Sequence, residues 1–194
     1  MTPQIAGLLH GLCMVAWWVI RRPFARKSRR NVLLRDAMDA REKLLLGISL
    51  TGLGIVPAVY IATGFPAALD QPFSPARAVA GLLVFVAALV LFHATHKALG
   101  RNWSVTLAVR QEHSLVTGGV YRFVRHPMYT AFWMWAIAQA LTLQNWLAGP
   151  AGLIGFGTLY LFRVGREEAL MRETFGAAWD AYAARTPRVV PFLR

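Results

Sequence analysis

The chain has 194 residues, of which 56% are apolar and only 15% charged, and its formal net charge is +12. With a mean hydropathy of +0.43 it is too apolar for a soluble domain of this length. Its 21 Lys and Arg are grouped beside apolar runs, which favours anionic lipid headgroups as their partners and excludes nucleic acid as the reading of the charge. The single cysteine, Cys13, lies inside an apolar run and leaves no internal disulfide to form.

Residues 5–20 are apolar except for His10 and extend back to Met1, about the 20 residues needed to cross a ~30 Å hydrocarbon layer. Trp17 and Trp18 close this run at the interface, and the positive charge follows the run instead of preceding it. That order is the reverse of a signal peptide, so a retained first span is expected. Residues 21–43 hold nine basic and three acidic side chains and read as a loop lying along the headgroups. Residues 44–65 form a second span, with Pro57 as a kink and Gly47, Gly52 and Gly54 allowing close helix contact. Residues 64–75 are a proline-rich turn, and a third span begins near Arg77 and runs through Phe92. Its helix continues past His93 and His96 to stop at Gly100. The polar segment 101–125 is too charged for lipid.

Residues 127–162 contain no charged side chain. As one helix these 36 residues would reach about 54 Å, so they must fold back. Gln144-Asn145 is the expected turn between helices at 129–143 and 146–162, the second with a small-residue face of Gly149, Gly152, Gly155 and Gly157. Residues 167–185 read as an amphipathic helix ended by Thr186-Pro187. The expected fold is therefore all-α: a polytopic membrane protein of about five spans, with a C-terminal helical hairpin and an amphipathic cytosolic helix. Residues 1–194 form one domain, with two spans and a basic loop in 1–76 and the core in 77–194. With the amino terminus outside, 20 of the 21 basic residues face the cytosol and only Arg77 does not.

Two clusters carry the chemistry. His113-Ser114-Leu115-Val116, followed by Gly118-Gly119 and Tyr121, offers backbone donors and acceptors suited to a nucleoside, or else a plain turn into a helix. Pro127 holds His126 extended and starts a helix, which places Arg125 and His126 at the mouth of the hairpin and Tyr129 one turn inside. Arg125 reads equally as an interfacial anchor. Arg163 and Glu167 lie four apart on one helix face, as a surface ion pair or as a carboxylate clamp at the end of an apolar helix. Glu168 reads as solvated and Arg166 as a headgroup contact. His93 and His96 lack the further ligands of a metal site and read as packing or interfacial residues.

The succession of residues 113–121, then Arg125-His126-Pro127-Met128-Tyr129, then Arg163 with Glu167-Glu168 after an uncharged hairpin, resembles the isoprenylcysteine carboxyl methyltransferase family and its phospholipid methyltransferase relatives. The resemblance covers roughly residues 77–194, including Asn102-Trp103-Ser104, Phe175-Gly176 and Tyr182, and looks like the compact microbial branch. It implies methyl transfer from S-adenosyl-L-methionine to a lipophilic acceptor, most often the carboxylate of a prenylated cysteine. The alternatives are a phospholipid amine acceptor, or a non-catalytic lipid-binding scaffold. By matching positions it implies cofactor contacts at His113, Ser114, Leu115, Val116, Tyr121, His126, Pro127, Met128, Tyr129 and Glu167, with Arg163 meeting the acceptor and no metal. The family's glutamate-rich run is reduced here to Glu167-Glu168.

Overall fold

A computed structural model describes residues 1–28, 33–36, 39–100, 108–110 and 115–193. Helix α1 (Pro3–Ser28) continues unbroken through the first basic residues instead of ending at residue 20, with Pro23 inside it. The loop expected at 21–43 is thus partly helix. It also contains strand β1 (Leu33–Asp36), which pairs antiparallel with β2 (Ala108–Arg110). The fold is otherwise helical, as the all-α expectation has it, and this one short ribbon is an addition to it. Neither strand has the alternating apolar pattern that marks a half-buried strand in sequence.

Helix α2 (Ala40–Leu50) starts where the Asp39 carboxylate accepts a hydrogen bond from the Glu42 N–H, an N-cap. It widens into a π-helical turn, Thr51–Ile55, and resumes as α3 (Val56–Thr63). The wide turn lies just before Pro57, which lacks the N–H that an unbroken α-helix needs there. Gly64, at φ 70°, ends α3. Helix α4 (Pro75–Leu99) is capped by Ser74 and stops at Gly100, φ 52°. Helix α5 (Pro127–Thr142) is followed by a turn, and α6 (Ala151–Phe175) starts five residues later than the pattern suggested. The delay comes from Asn145: its buried side chain accepts from the N–H groups of Leu147 and Ala148 and donates to Pro66 and Asp70. Gln144 likewise bonds both backbone groups of Ser74. The hairpin turn is therefore clipped to the loop between α3 and α4.

Helix α6 runs on through Arg163, Glu167 and Glu168 to Phe175. Gly176, at φ 53°, breaks it, and α7 (Ala177–Arg185) follows. The single amphipathic helix expected at 167–185 is thus the end of one helix and a separate second one.

Three helical stretches, Pro3–Arg26, Ala40–Thr63 and Pro75–Leu99, are long and apolar enough to cross a membrane. Leu8, Leu12, Val15, Leu83, Val90 and Leu161 are all exposed on the outer faces of the bundle, where hydrocarbon is the fitting solvent. Inside, Trp17 of α1 packs against Phe92, Phe132 and Trp135, and Phe85 stacks on Trp135. Glycines set the closest approaches. The small face of α6 approaches the second span closely: a Cβ on Gly52 would stand 2.2 Å from the Ala151 carbonyl, and one on Gly155 2.8 Å from the Ile48 carbonyl. The same face also meets the hairpin partner as expected, Gly152 at Gln139 and Gly157 at Trp133.

Replacing Gly52 by Ala forces backbone apart and is expected to lower stability by about 2 kcal/mol. Gly47→Ala meets nothing within 4 Å and is expected to raise it by about 1 kcal/mol through helix propensity. Thermal unfolding of the two variants in one detergent tests the opposite signs.

Candidate active site

The segment 115–126 runs from an extended stretch into a 3-10 turn, Gly119–Arg122, which buries Tyr121. Gly119 takes φ 61°, a conformation that a side chain would strain. The Tyr182 hydroxyl of α7 donates to the Tyr121 carbonyl at 2.7 Å. Burial pushes the Tyr182 phenol up to about 12 and the Tyr121 phenol well above its usual value, so both stay neutral. After α7 the chain returns along the site: the N–H groups of Arg125 and His126 donate to the carbonyls of Pro187 and Arg188, each at 2.9 Å. Thr130 Oγ1 donates to the Val189 carbonyl at 2.7 Å. The C-terminal segment thereby fixes the entry to α5.

Glu168 lies under this entry, 9% exposed, where solvent was expected. Arg125 Nε donates to its Oε1 at 2.7 Å, His126 Nε2 lies 3.1 Å from the same oxygen, and Arg188 Nη2 donates to Oε2 at 2.7 Å. Burial raises the affinity of this carboxyl for a proton. The hydrogen bonds from His126, Arg188 and Arg125 outweigh it and hold the group far below the usual carboxylate range. Arg125 also donates to the Thr186 and Ala183 carbonyls at the end of α7, so it is a structural tie and not an interfacial anchor.

Glu167, one residue earlier on α6, points elsewhere. Tyr129 donates to its Oε2 at 2.5 Å, a charge-assisted bond, and His126 Nδ1 lies 3.9 Å from Oε1. The His126 ring stacks on Tyr129 with centroids 5.4 Å apart. Arg163, 9% exposed, does not simply pair along its helix with Glu167; its Nε contacts the Glu42 carboxylate of α2 at 3.1 Å. Arg166 pairs with Asp39 at 3.1 Å instead of standing free at the headgroups.

These groups border one cavity of about 490 Å³. Its polar end is walled by Leu115, Val116, Tyr121, Arg125, His126, Met128, Tyr129, Arg163 and Glu167. Its apolar end is walled by Met14, Trp17 and Trp18 of α1, Leu46, Leu50 and Leu53 of the second span, and Phe132, Trp135, Phe156 and Leu159 of the hairpin. The structure brings to this wall eight of the eleven residues that the resemblance assigns to cofactor or acceptor, and Arg125 beside them. Pro127 is buried at the first turn of α5 instead, and His113 and Ser114 lie outside the described residues, as do Asn102, Trp103 and Ser104. His96 is fully buried and packs on Phe92 and Phe24, with Nδ1 2.9 Å from the Phe92 carbonyl. Sequence reasoning missed Glu42, Arg188 and the role of Glu168. Glu42 had one faint signal, an acidic residue within a strongly basic stretch at the mouth of an apolar helix.

The fold and cavity define a helical integral membrane protein with a pocket whose wall combines charged groups such as Arg125, Arg163 and Glu167 with large apolar side chains. Residues 79–173 match the profile of the isoprenylcysteine carboxyl methyltransferase family. Protein-S-isoprenylcysteine O-methyltransferase B of Arabidopsis thaliana is 30% identical over 115 residues, 58% of each chain. The Homo sapiens protein-S-isoprenylcysteine O-methyltransferase is 30% identical over 118 residues, 60% of this chain and 42% of the human one. The match thus spans about half the length of these curated relatives. The solved structure of a eukaryotic intramembrane Ras methyltransferase of this family superposes with a TM-score of 0.63 at 21% identity, covering 99% of this chain and 68% of that one. It shares the fold across the amino-terminal spans as well.

Glu168→Gln is expected to lower stability at pH 7 by about 2 kcal/mol, the worth of hydrogen bonds to a charged group. Because the folded carboxyl titrates far below its usual 4.5, its contribution is fully present above that pH and lost as acid approaches the folded value. The gap between wild type and variant should therefore be constant from pH 7 to about 5 and close below it; unfolding midpoints across that range provide the check.

Proposed function

We propose that the protein is a membrane methyltransferase that uses S-adenosyl-L-methionine to methylate the carboxylate of a prenylated cysteine or a similar isoprenoid acid. The observation that carries this reading is the place of Arg163. It is a nearly buried guanidinium on α6, in the wall of a cavity that continues into an apolar chamber. A guanidinium suits a carboxylate by geometry and charge, and the chamber suits a hydrocarbon chain.

The residues present fit the cofactor. The cavity has the size of a small-molecule site. Glu167 supplies a carboxylate toward it for a cationic ligand or for ribose hydroxyls, and the extended segment at Leu115 and Val116 offers backbone groups for a nucleoside edge. S-adenosylmethionine bound there supplies a methyl group on a sulfonium. His126, Met128, Tyr129 and Glu167 would hold it, with Tyr121 behind; Pro127 would act by setting the start of α5, and His113 and Ser114 would contribute from the preceding segment. Arg163 would turn one carboxylate oxygen of the acceptor toward the methyl. An acceptor carboxylate is already ionised at neutral pH, so no general base is required, only alignment and exclusion of water. The cofactor would supply the methyl as an electrophile and leave as the neutral thioether, so the protein has no proton to move. A phospholipid amine would arrive protonated and need a base. Glu168 is held ionised by three donors and is a poor base, and Glu167 already accepts from Tyr129, which favours the carboxylate.

The protein is inferred to work as one domain of five spans, with the amino terminus outside and the cavity's polar end at the cytosolic face. The turn 143–150 is clipped to the loop between α3 and α4, which supports the short hairpin reaching the same face as those longer helices. The basic residues gather at the opposite end.

Purified protein with methyl-labelled S-adenosylmethionine is expected to put base-labile label on a prenylated N-acetylcysteine and none on phosphatidylethanolamine. Base-stable label in the phospholipid would overturn the carboxylate reading. Arg163→Ala should cut turnover about 100-fold with cofactor affinity kept. Glu167→Ala should weaken cofactor binding by about tenfold or more.

A further inference from the structure

Behind Arg163 stands a second carboxylate that does not reach the cavity. Glu42 is 0% exposed, its Oε1 lies 3.1 Å from Arg163 Nε, and neither of its oxygens makes an aligned hydrogen bond among the described residues. The contact is one of charge. A buried carboxylate so held is costly unless the pairing serves it, since taking an ion out of water outweighs a loosely oriented attraction. Its location is imposed from both sides. Asp39 caps α2 and pairs with Arg166, and Arg41 Nη2 donates to the Phe162 carbonyl at 3.4 Å. These contacts press the first turn of α2 onto α6 at the level of Arg163. Glu42 also lies outside the family match, which begins at residue 79.

We propose that Glu42 is a positioning residue, a resident counter-ion that holds the Arg163 guanidinium and competes with the acceptor carboxylate for it. The inference rests on the carboxyl methylation proposed above. As the acceptor oxygen bonds to the methyl, its negative charge and the positive charge of the sulfonium cancel, and no proton moves. An arginine facing the acceptor alone would therefore attract it more strongly before the reaction than at the transition state, which slows the chemical step. A carboxylate already in contact with that arginine weakens the ground-state attraction and keeps the guanidinium aimed. Arg163 then orients the acceptor oxygen without quenching its nucleophilicity.

The discriminating variant is Glu42→Gln, which keeps the shape and removes the charge. For a prenylated N-acetylcysteine acid, KM and the equilibrium Kd should both fall about tenfold while kcat falls by a similar factor. A lesion that merely loosened the fold would not tighten binding. Kd values, read from quenching of the cavity tryptophans, should be unchanged for the methyl ester of the same compound and for S-adenosylhomocysteine. Glu42→Asp, which withdraws the carboxylate, should move the acid-to-ester affinity ratio the same way and carries the test if the glutamine variant does not fold. If the wild type methylates the acid and neither folded variant changes that ratio, the role of Glu42 is overturned and the proposed function stands. If the wild type neither methylates the acid nor binds it better than the ester, both fall together.

Discussion

The arrangement of the polar end depends on one buried carboxylate shared among three donors. Glu168 draws Arg125 and His126 from the entry of α5 and Arg188 from the C-terminal segment onto α6. Each of those elements would otherwise be a loop or a helix end at a membrane surface, with little apolar area of its own to bury. Charge-assisted hydrogen bonds to a single ion replace that missing burial. Their consequence is directional. With His126 fixed by Glu168 on one ring nitrogen, its ring stacks on Tyr129, and Tyr129 in turn aims its hydroxyl at Glu167. Two neighbouring glutamates on one helix thus have opposite tasks, the first facing the cavity and the second tying together what surrounds it.

The second constraint is the contact of α2 with α6. Gly52 and Gly155 bring the two backbones close enough that no side chain fits between them. That approach allows the N-terminal turn of α2 to reach Arg163 and Arg166. The amino-terminal spans are therefore part of the site. Trp17 and Leu46 line the cavity, and Glu42 touches Arg163 in its wall. A region that the family profile does not cover still contributes both shape and charge to the cavity.

The helical spans were legible in the sequence because a bilayer demands long apolar runs, and capping residues such as Ser74 and stops such as Gly100 mark their ends. The ribbon of β1 with β2 was not legible, since each strand takes its order from the other across a long separation. The late start of α6 was hidden for a similar reason: Asn145 has its partners 75 and 79 residues away. In the site, the motif residues from Leu115 to Tyr129 could be picked out because they are clustered locally. Glu168, Arg188 and Glu42 could not, because an isolated charge in sequence looks the same whether it meets water or a buried partner.

By itself the sequence determined the class of solvent, the order of the apolar helices, and the set of polar residues dense enough to hold a ligand. These follow from hydropathy and local pattern, which need no knowledge of distant contacts. Only the tertiary structure decided which glutamate faces the cavity, which arginine is a tie and which a cavity wall, and that Glu42 stands behind Arg163. Those outcomes depend on burial and on pairing across more than a hundred residues of chain, as between Glu42 and Arg163. The free energy of an ion is set by what surrounds it in space, and sequence spacing does not record that.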